Sequence, residues 1–269
     1  KNKVRKFRFS RFKVVFAGAI VSLILGISPV SFALNIALND VTSGGMNASA
    51  LAGFTTAASR WESVFDDSAT VRLNISFQSL SSGVLGSTFL FSSVYNYSSI
   101  RTALNDDKTT GNDMAAVANL QAGDFLDFLT TNESGASERD NDNTMNNEAL
   151  KVNRANAKAL NLQTDDGLAD ADIKFSSNFN FDYNPGDGIA GGTFDFVGIA
   201  THEIGHALGF VSGVDTVDTN SFPNGPGINI DNKSVFSVLD MYRYSEASLA
   251  LGILDLSVSG SPYFSIDRG

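Results

Sequence analysis

Residues 193–211 read TFDFVGIATHEIGHALGFV, and the fold of the chain has to be built around this stretch. Thr193 or Asp195 can cap the start of a helix, since short polar side chains accept hydrogen bonds from the first free N–H groups. The spacing predicts one apolar helix face, made of Val197, Ile204, Leu208 and Val211. We therefore expect an amphipathic helix over this stretch, with its apolar face turned to a core.

The same stretch holds the only two histidines of the chain, His202 and His206, with Glu203 between them. Residues four apart project from one side of a helix, so two imidazoles can bind one zinc ion. Glu203 directly follows the first imidazole, where a carboxylate can act on a water held at the metal. The pattern predicts His202 and His206 as metal ligands and Glu203 as the catalytic general base. The alternatives are a structural histidine pair or a degenerate site that has lost its metal.

The segment His202–Phe210, HEIGHALGF, resembles the active-site helix of zincin metallopeptidases, and Gly209 is similar to the glycine of the metzincin clan. The HEIGHALGF sequence also resembles that of leishmanolysin-type peptidases and related exported bacterial zincins. This resemblance implies an α+β zincin-like fold, in which a twisted mixed sheet packs against a backing helix and the HExxH helix. It also implies one catalytic Zn²⁺ and hydrolysis of peptide bonds.

Zinc needs a third protein ligand, and here the sequence departs from the metzincin pattern. Ser212 stands where that clan has its third histidine, and no histidine follows His206. In leishmanolysin-like peptidases the third histidine is distant, so we expect it beyond Gly269. Asp215 and Glu246 are the alternatives within the sequence.

The first 33 residues differ in character from the rest. Seven basic and no acidic residues occupy positions 1–13, and an apolar run follows from Val14. Ser31 and Ala33 then form the pattern of two small residues, one apart, that precedes a signal-peptide cleavage site. This order is typical of a secretory signal peptide, and the run is shorter than the roughly 20 residues of a membrane-spanning helix. We expect a signal peptide at 1–33, a catalytic domain at 34–269, secretion, and no stable membrane anchor after cleavage.

The composition of the 269 residues excludes several classes of protein. Cysteine is absent, which rules out disulfides and thiolate zinc sites. Without the basic N-terminal segment, 12 basic residues face 29 acidic ones, so the remaining chain carries a net charge of −17. Such a charge argues against a nucleic-acid partner and favours cations. A structural Ca²⁺ is compatible with the charge, but Asp140 and Asp142 lack the rest of an EF-hand motif.

The remaining pattern predicts a mixture of helices and strands. We expect a helix over 47–66, a strand over 71–78, short helices over 98–106 and 113–120, a helix over 147–160, and strands over 171–175 and around 179–181. Residues 131–148 are almost wholly polar and predict an exposed loop, and residues 183–188 predict a turn. Val238–Ser245 is a further candidate element, in which Met241 could lie under the metal. A buried core Met is the alternative.

These observations together predict a secreted zinc metalloendopeptidase that acts on proteins or peptides. One alternative is an exported surface or binding protein with a zincin fold and no turnover. Another is a zinc hydrolase of non-peptide amides. The oligomeric state, the cleavage preference and the presence of a propeptide cannot be read from the residues.

Overall fold

The computed structural model describes residues 34–258 and 260–269. The expected signal peptide at 1–33 lies outside the described residues. The described part combines helices with several small sheets, which confirms the α+β class at this coarse level. None of the helices in this part has the length and apolar character that crossing a membrane requires.

The helices of the described part are α1 (Ala48–Glu62), α2 (Tyr97–Asp107), α3 (Gly111–Ala118), α4 (Met145–Glu148), α5 (Arg154–Ala159), α6 (Phe196–Ala207), α7 (Val214–Asn220) and α8 (Glu246–Leu251). Short 3₁₀ turns occur at Pro185–Asp187 and Leu239–Tyr242. The strands are β1 (Asn35–Asp40), β2 (Thr70–Gln78), β3 (Gly86–Leu90), β4 (Ser92–Asn96), β5 (Phe128–Thr131), β6 (Ser137–Asp140), β7 (Ala149–Asn153), β8 (Ala171–Ser176), β9 (Phe181–Asp182), β10 (Phe194–Asp195), β11 (Arg243–Tyr244), β12 (Leu254–Asp255) and β13 (Tyr263–Phe264).

The main sheet has four strands in the order β1–β2–β8–β3. The first three run parallel, whereas β3 runs antiparallel to β8 and forms one edge of the sheet. Side chains alternate across a strand, so β2 places Val71, Leu73 and Ile75 on one buried face. The sheet is therefore mixed, with one apolar face and one edge strand open to a further partner.

Helices α1 and α6 cover the apolar face of this sheet. Phe196, the first residue of α6, lies at the centre of an aromatic group: its ring centroid is 5.1 Å from Phe54 of α1 and 4.5 Å from Phe175 of β8. We call the buried apolar residues of this region the first core cluster; it includes Phe54, Ala57, Val71, Leu73, Ile75, Ile173, Phe175, Phe196, Val197, Ala200, Ile204 and Ala207. This packing fixes the position of α6 on the sheet.

A second core cluster is built by shorter elements. Its residues include Tyr97, Ile100, Phe128, Leu150, Val152, Val217, Phe236, Met241, Leu254 and Leu256. The rings of Phe128 and Phe236 meet edge to face at 5.1 Å. The second core cluster joins the sheet β12–β5–β6 and the pair β4–β7 to the helices α2 and α7.

An ion-pair network lies next to the first core cluster. Arg72 lies 2.7 Å from Asp165, and Lys158 lies 3.0 Å from Asp165 and 2.8 Å from the buried Asp170. The guanidinium of Arg72, followed by the ammonium of Lys158, hydrogen-bonds to Asp165 and holds the pKa of that carboxyl well below its usual range. The network joins α5 and the loop before β8 to β2.

Most elements predicted around the apolar patterns are confirmed. Asn47 caps α1 by accepting a hydrogen bond from the backbone N–H of Ala50 at 2.8 Å. Asp195 caps α6, accepting from the N–H of Gly198 at 2.9 Å. The predicted helix over 98–106 and the strands over 71–78 and 171–175 occur with small shifts of their ends.

Two predictions about the middle of the chain are wrong. Residues 131–148 do not form one exposed loop, since β6 and α4 lie within them and Asp140, Asn146 and Asn147 are buried. The predicted helix over 147–160 is strand β7 followed by the short helix α5, because Leu150 and Val152 are needed in the second core cluster. Tertiary packing therefore overrides local propensity in this region.

Candidate active site

The two imidazoles lie together on the solvent side of α6. Their ring centroids are 4.5 Å apart and their planes meet at 82°. His202 is exposed and His206 is half-buried, whereas Ile204 between them is fully buried in the first core cluster. The apolar face of α6 thus anchors the helix and turns both rings outward as one pair, as the sequence predicts.

The ring of His206 is oriented by the backbone that follows the helix. Its Nδ1 lies 2.8 Å from the carbonyl oxygen of Phe210. With a proton on Nδ1 donated to that carbonyl, Nε2 carries the free lone pair that a metal ion requires. No residue in the described part hydrogen-bonds to the ring of His202, so both of its nitrogens stay available.

Glu203 directly follows His202 on α6, and the edge strand β3 holds its carboxylate. Only 7% of the residue is exposed. The hydroxyl of Thr88 lies 2.6 Å from its Oε2 and 3.0 Å from its backbone carbonyl oxygen. Oε1 accepts no hydrogen bond from the described residues. The carboxylate is therefore fixed through one of its two oxygens.

Gly86 on β3 allows this close approach of strand and acid. A Cβ atom on Gly86 would lie 3.0 Å from Oε1 and 3.1 Å from Cγ of Glu203. Any larger residue would push the carboxylate or the strand away. The sequence analysis missed both Thr88 and Gly86, because only the register of β3 against β8 brings them to the helix.

The chain turns sharply after α6. Asn153 and Asn156 donate to the carbonyl oxygens of Ala207 at 2.6 Å and Leu208 at 3.0 Å, which would otherwise lack partners at the helix end. Gly209 adopts φ = +105°, and a Cβ there would lie 2.2 Å from Oδ1 of Asn156. Only glycine fits this turn, which carries the chain back to the carbonyl that orients His206.

Beyond the turn, a buried carboxylate fixes the next residues. Asp240 accepts hydrogen bonds from the hydroxyl of Ser212 at 2.6 Å, from the N–H of Gly213 at 2.8 Å and from the N–H of Ser237 at 2.7 Å. Burial raises the pKa of Asp240, and the hydrogen bonds from these donors offset only part of that rise. Ser212 therefore has a structural role as a donor to Asp240. The signal for Asp240 in the sequence is a charged residue within the largely apolar stretch VFSVLDMY.

No third metal ligand from the described residues joins the pair. Among residues 34–258 and 260–269, no three His, Asp or Glu side chains form a group that could hold a metal ion. Asp215 and Glu246 are exposed acids in the first turns of α7 and α8. Met241 packs in the second core cluster, as the alternative interpretation of that residue expects.

Comparisons of the chain with protein-family models, with curated proteins and with solved structures gave no match. The site consists of two outward imidazoles, an anchored carboxylate on the same helix and an edge strand in contact with that carboxylate.

Proposed function

We propose that the chain is a secreted zinc-dependent metalloendopeptidase with a zincin-like fold. The proposal rests on two features of α6: the ring centroids of His202 and His206 lie 4.5 Å apart, and the buried carboxylate of Glu203, the residue next to His202, is anchored by Thr88. A histidine pair with a purely structural role would have no need of an adjacent buried acid with one free oxygen.

The two imidazoles are donors of the type that zinc prefers. His202 and His206 offer two nitrogens one helical turn apart, and the carbonyl of Phe210 engages the other nitrogen of His206. A third donor is missing from the described residues. When bound, zinc supplies positive charge that lowers the pKa of a water and polarises a substrate carbonyl.

Within this proposal, the residues of the chain move the proton. Oε1 of Glu203 accepts a proton from the attacking water and later delivers it to the nitrogen of the leaving amine. Thr88 keeps Oε2 in place, so the carboxylate does not lose its orientation between the two transfers. Burial of Glu203 limits competing solvent at the acid, while the exposed His202 leaves the approach open.

Strand β3 favours a peptide as the substrate. It is an edge strand, and no described strand pairs with its outer side. An extended peptide can add to such an edge through main-chain hydrogen bonds. Because Gly86 and Thr88 of the same strand contact Glu203, a peptide paired with β3 would run past the acid. A small non-peptide amide has no extended main chain with which to form these hydrogen bonds.

The proposal is tested with the full chain and a casein digest. We expect cleavage that a chelator abolishes and that added Zn²⁺ restores, and we expect His202→Ala and His206→Ala to lose both bound zinc and cleavage. A variant of an exposed acid with no proposed metal contact, Asp124→Ala, should keep both. Zinc-bound protein that cleaves neither casein nor gelatin would favour the exported binding protein, and hydrolysis limited to small amides would favour the non-peptide hydrolase.

A further inference from the structure

A second polar site lies in the hairpin β5–β6 and the segment that follows it. Asp140 ends β6, and the chain then folds back so that Asn146 and Asn147 are fully buried. Nδ2 of Asn146 donates to Oδ2 of Asp140 at 2.8 Å. A highly polar sequence has thus been folded inward, which costs free energy unless its polar atoms find partners.

Two buried oxygens in this hairpin have no partner. They are Oγ1 of Thr130 and Oδ1 of Asp140, both closed off from solvent and without a hydrogen bond in the described part of the chain. Thr130 is 5% exposed and Asp140 is 8% exposed. Buried oxygens without a hydrogen bond are rare in folded proteins, and each calls for an explanation such as an ordered water or a bound ion.

The strand register places Thr130 and Asp140 on one face of the hairpin. Phe128 pairs with Asp140, and Thr130 pairs with Glu138. Thr130 and Asp140 are therefore diagonal neighbours, with Cβ atoms less than about 7–8 Å apart. A cation that binds oxygen at about 2.3–2.6 Å fits between two side chains at this separation.

The charge in this hairpin is also uncompensated. No Lys or Arg of the described part forms an ion pair with Asp140, and the adjacent Arg139 is paired with Asp127 instead. Burial raises the pKa of Asp140, against the hydrogen bond from the amide of Asn146. At neutral pH a buried carboxylate in this setting gains most from a positive ion.

We propose that Oδ1 of Asp140 and Oγ1 of Thr130 bind a structural divalent cation of the Ca²⁺ type. Carboxylate and hydroxyl oxygens suit this hard cation, whereas zinc prefers the nitrogens on α6. The ion fixes the end of β6 and the inward-folded segment 140–148 against β5. This site is separate from the imidazole pair and stands whether or not the chain is a peptidase.

The test is thermal unfolding of the full chain in EGTA and in millimolar CaCl₂. We expect Ca²⁺ to raise the Tm by about 5 °C or more at a hundredfold excess over its Kd, since a ligand that binds only the folded state stabilises it. Asp140→Asn and Thr130→Val should each lose most of this shift. Asp124→Asn, the same change at an exposed carboxylate, should keep the full shift.

Folding of the variants is checked in EGTA, where each should still unfold cooperatively. Asp140→Asn should there have a Tm equal to or above that of the parent, because it removes a buried charge. A parent Tm that does not respond to Ca²⁺ overturns the proposal. An equal Ca²⁺ shift in the parent and in both hairpin variants overturns it too. Thr130→Val, which leaves the charge unchanged, decides the matter if Asp140→Asn fails to fold.

Discussion

The two core clusters are held together in different ways. In the first, long elements with regular apolar faces meet, and the rings of Phe54, Phe175 and Phe196 fill the space between helices and sheet. In the second, short elements alternate with loops that buried polar side chains such as Asp240 and Asn147 tie to the backbone. The first cluster positions the imidazole pair, and polar contacts in the second region fix the chain that follows it.

The largest effect is expected from breaking the first cluster at its centre. Phe196→Ala should lower the free energy of unfolding by about 4 kcal/mol, because it removes a buried ring and leaves a cavity. Zinc binding should weaken with it, since α6 loses its anchor. Denaturant unfolding and a zinc titration measure both. Phe264→Ala, at a half-exposed ring, is the control and should change stability by less than about 0.5 kcal/mol.

A smaller loss of stability is expected when the buried carboxylate of Asp240, next to the second core cluster, is removed. Asp240→Ala should cost about 2–3 kcal/mol, because the N–H groups of Gly213 and Ser237 lose their buried acceptor. Asp240→Asn, which keeps one oxygen, should cost less. Zinc affinity should fall less than in Phe196→Ala, because both histidines stay on a helix that the first cluster holds. An equal loss of zinc in the two variants would contradict this separation.

The link between β3 and α6 is tested by the hydroxyl of Thr88. Thr88→Val should lower kcat for peptide cleavage about tenfold, by analogy with other groups that orient a general base. It should leave KM and zinc content nearly unchanged. Thr88→Ser keeps the hydroxyl and should restore most of the rate. If Thr88→Ser loses as much activity as Thr88→Val, a hydroxyl at this position does not account for the rate, and the hydrogen bond to Glu203 is not the cause.

The smallest effect concerns the ion-pair network beside the first cluster. The folded-state pKa of Asp165 is lowered, so its contribution to stability is present above the unfolded value of 3.8 and is lost as the pH falls through the folded value. Asp165→Asn should therefore be less stable than the parent at pH 7, and the difference should shrink in acid. Thermal unfolding from pH 7 to pH 2 measures it. A difference that does not change with pH would exclude the carboxylate as the cause.

The comparison also explains what could be predicted from the sequence. Around the first cluster, Val71, Leu73 and Ile75 alternate and α6 carries a regular apolar face, so local periodicity matches the final packing. The side-by-side position of the imidazoles of His202 and His206 was predictable, because four-residue spacing on a helix fixes it. Thr88 and Gly86 were not, since they reach Glu203 only through the pairing of β3 with β8.

Around the second cluster, the sequence pattern was misleading for a physical reason. Polarity alone predicted an exposed loop at 131–148, but Asn147 is buried and donates to the carbonyl oxygen of Leu126 at 2.9 Å. A buried polar side chain with a backbone partner carries no periodic signal. The same holds for Asp240, whose partners lie far away along the chain.

The central claim is that Glu203 moves the proton while the imidazoles hold the metal. Its most direct test is Glu203→Gln, with bound zinc and the rate of peptide cleavage measured on the same sample. Glu133→Gln, the same change at an exposed glutamate, is the matched control. We predict zinc content equal to the parent and cleavage reduced by about 10³-fold in Glu203→Gln, with neither changed in the control. Cleavage within tenfold of the parent, in a variant that still holds zinc, would contradict the claim.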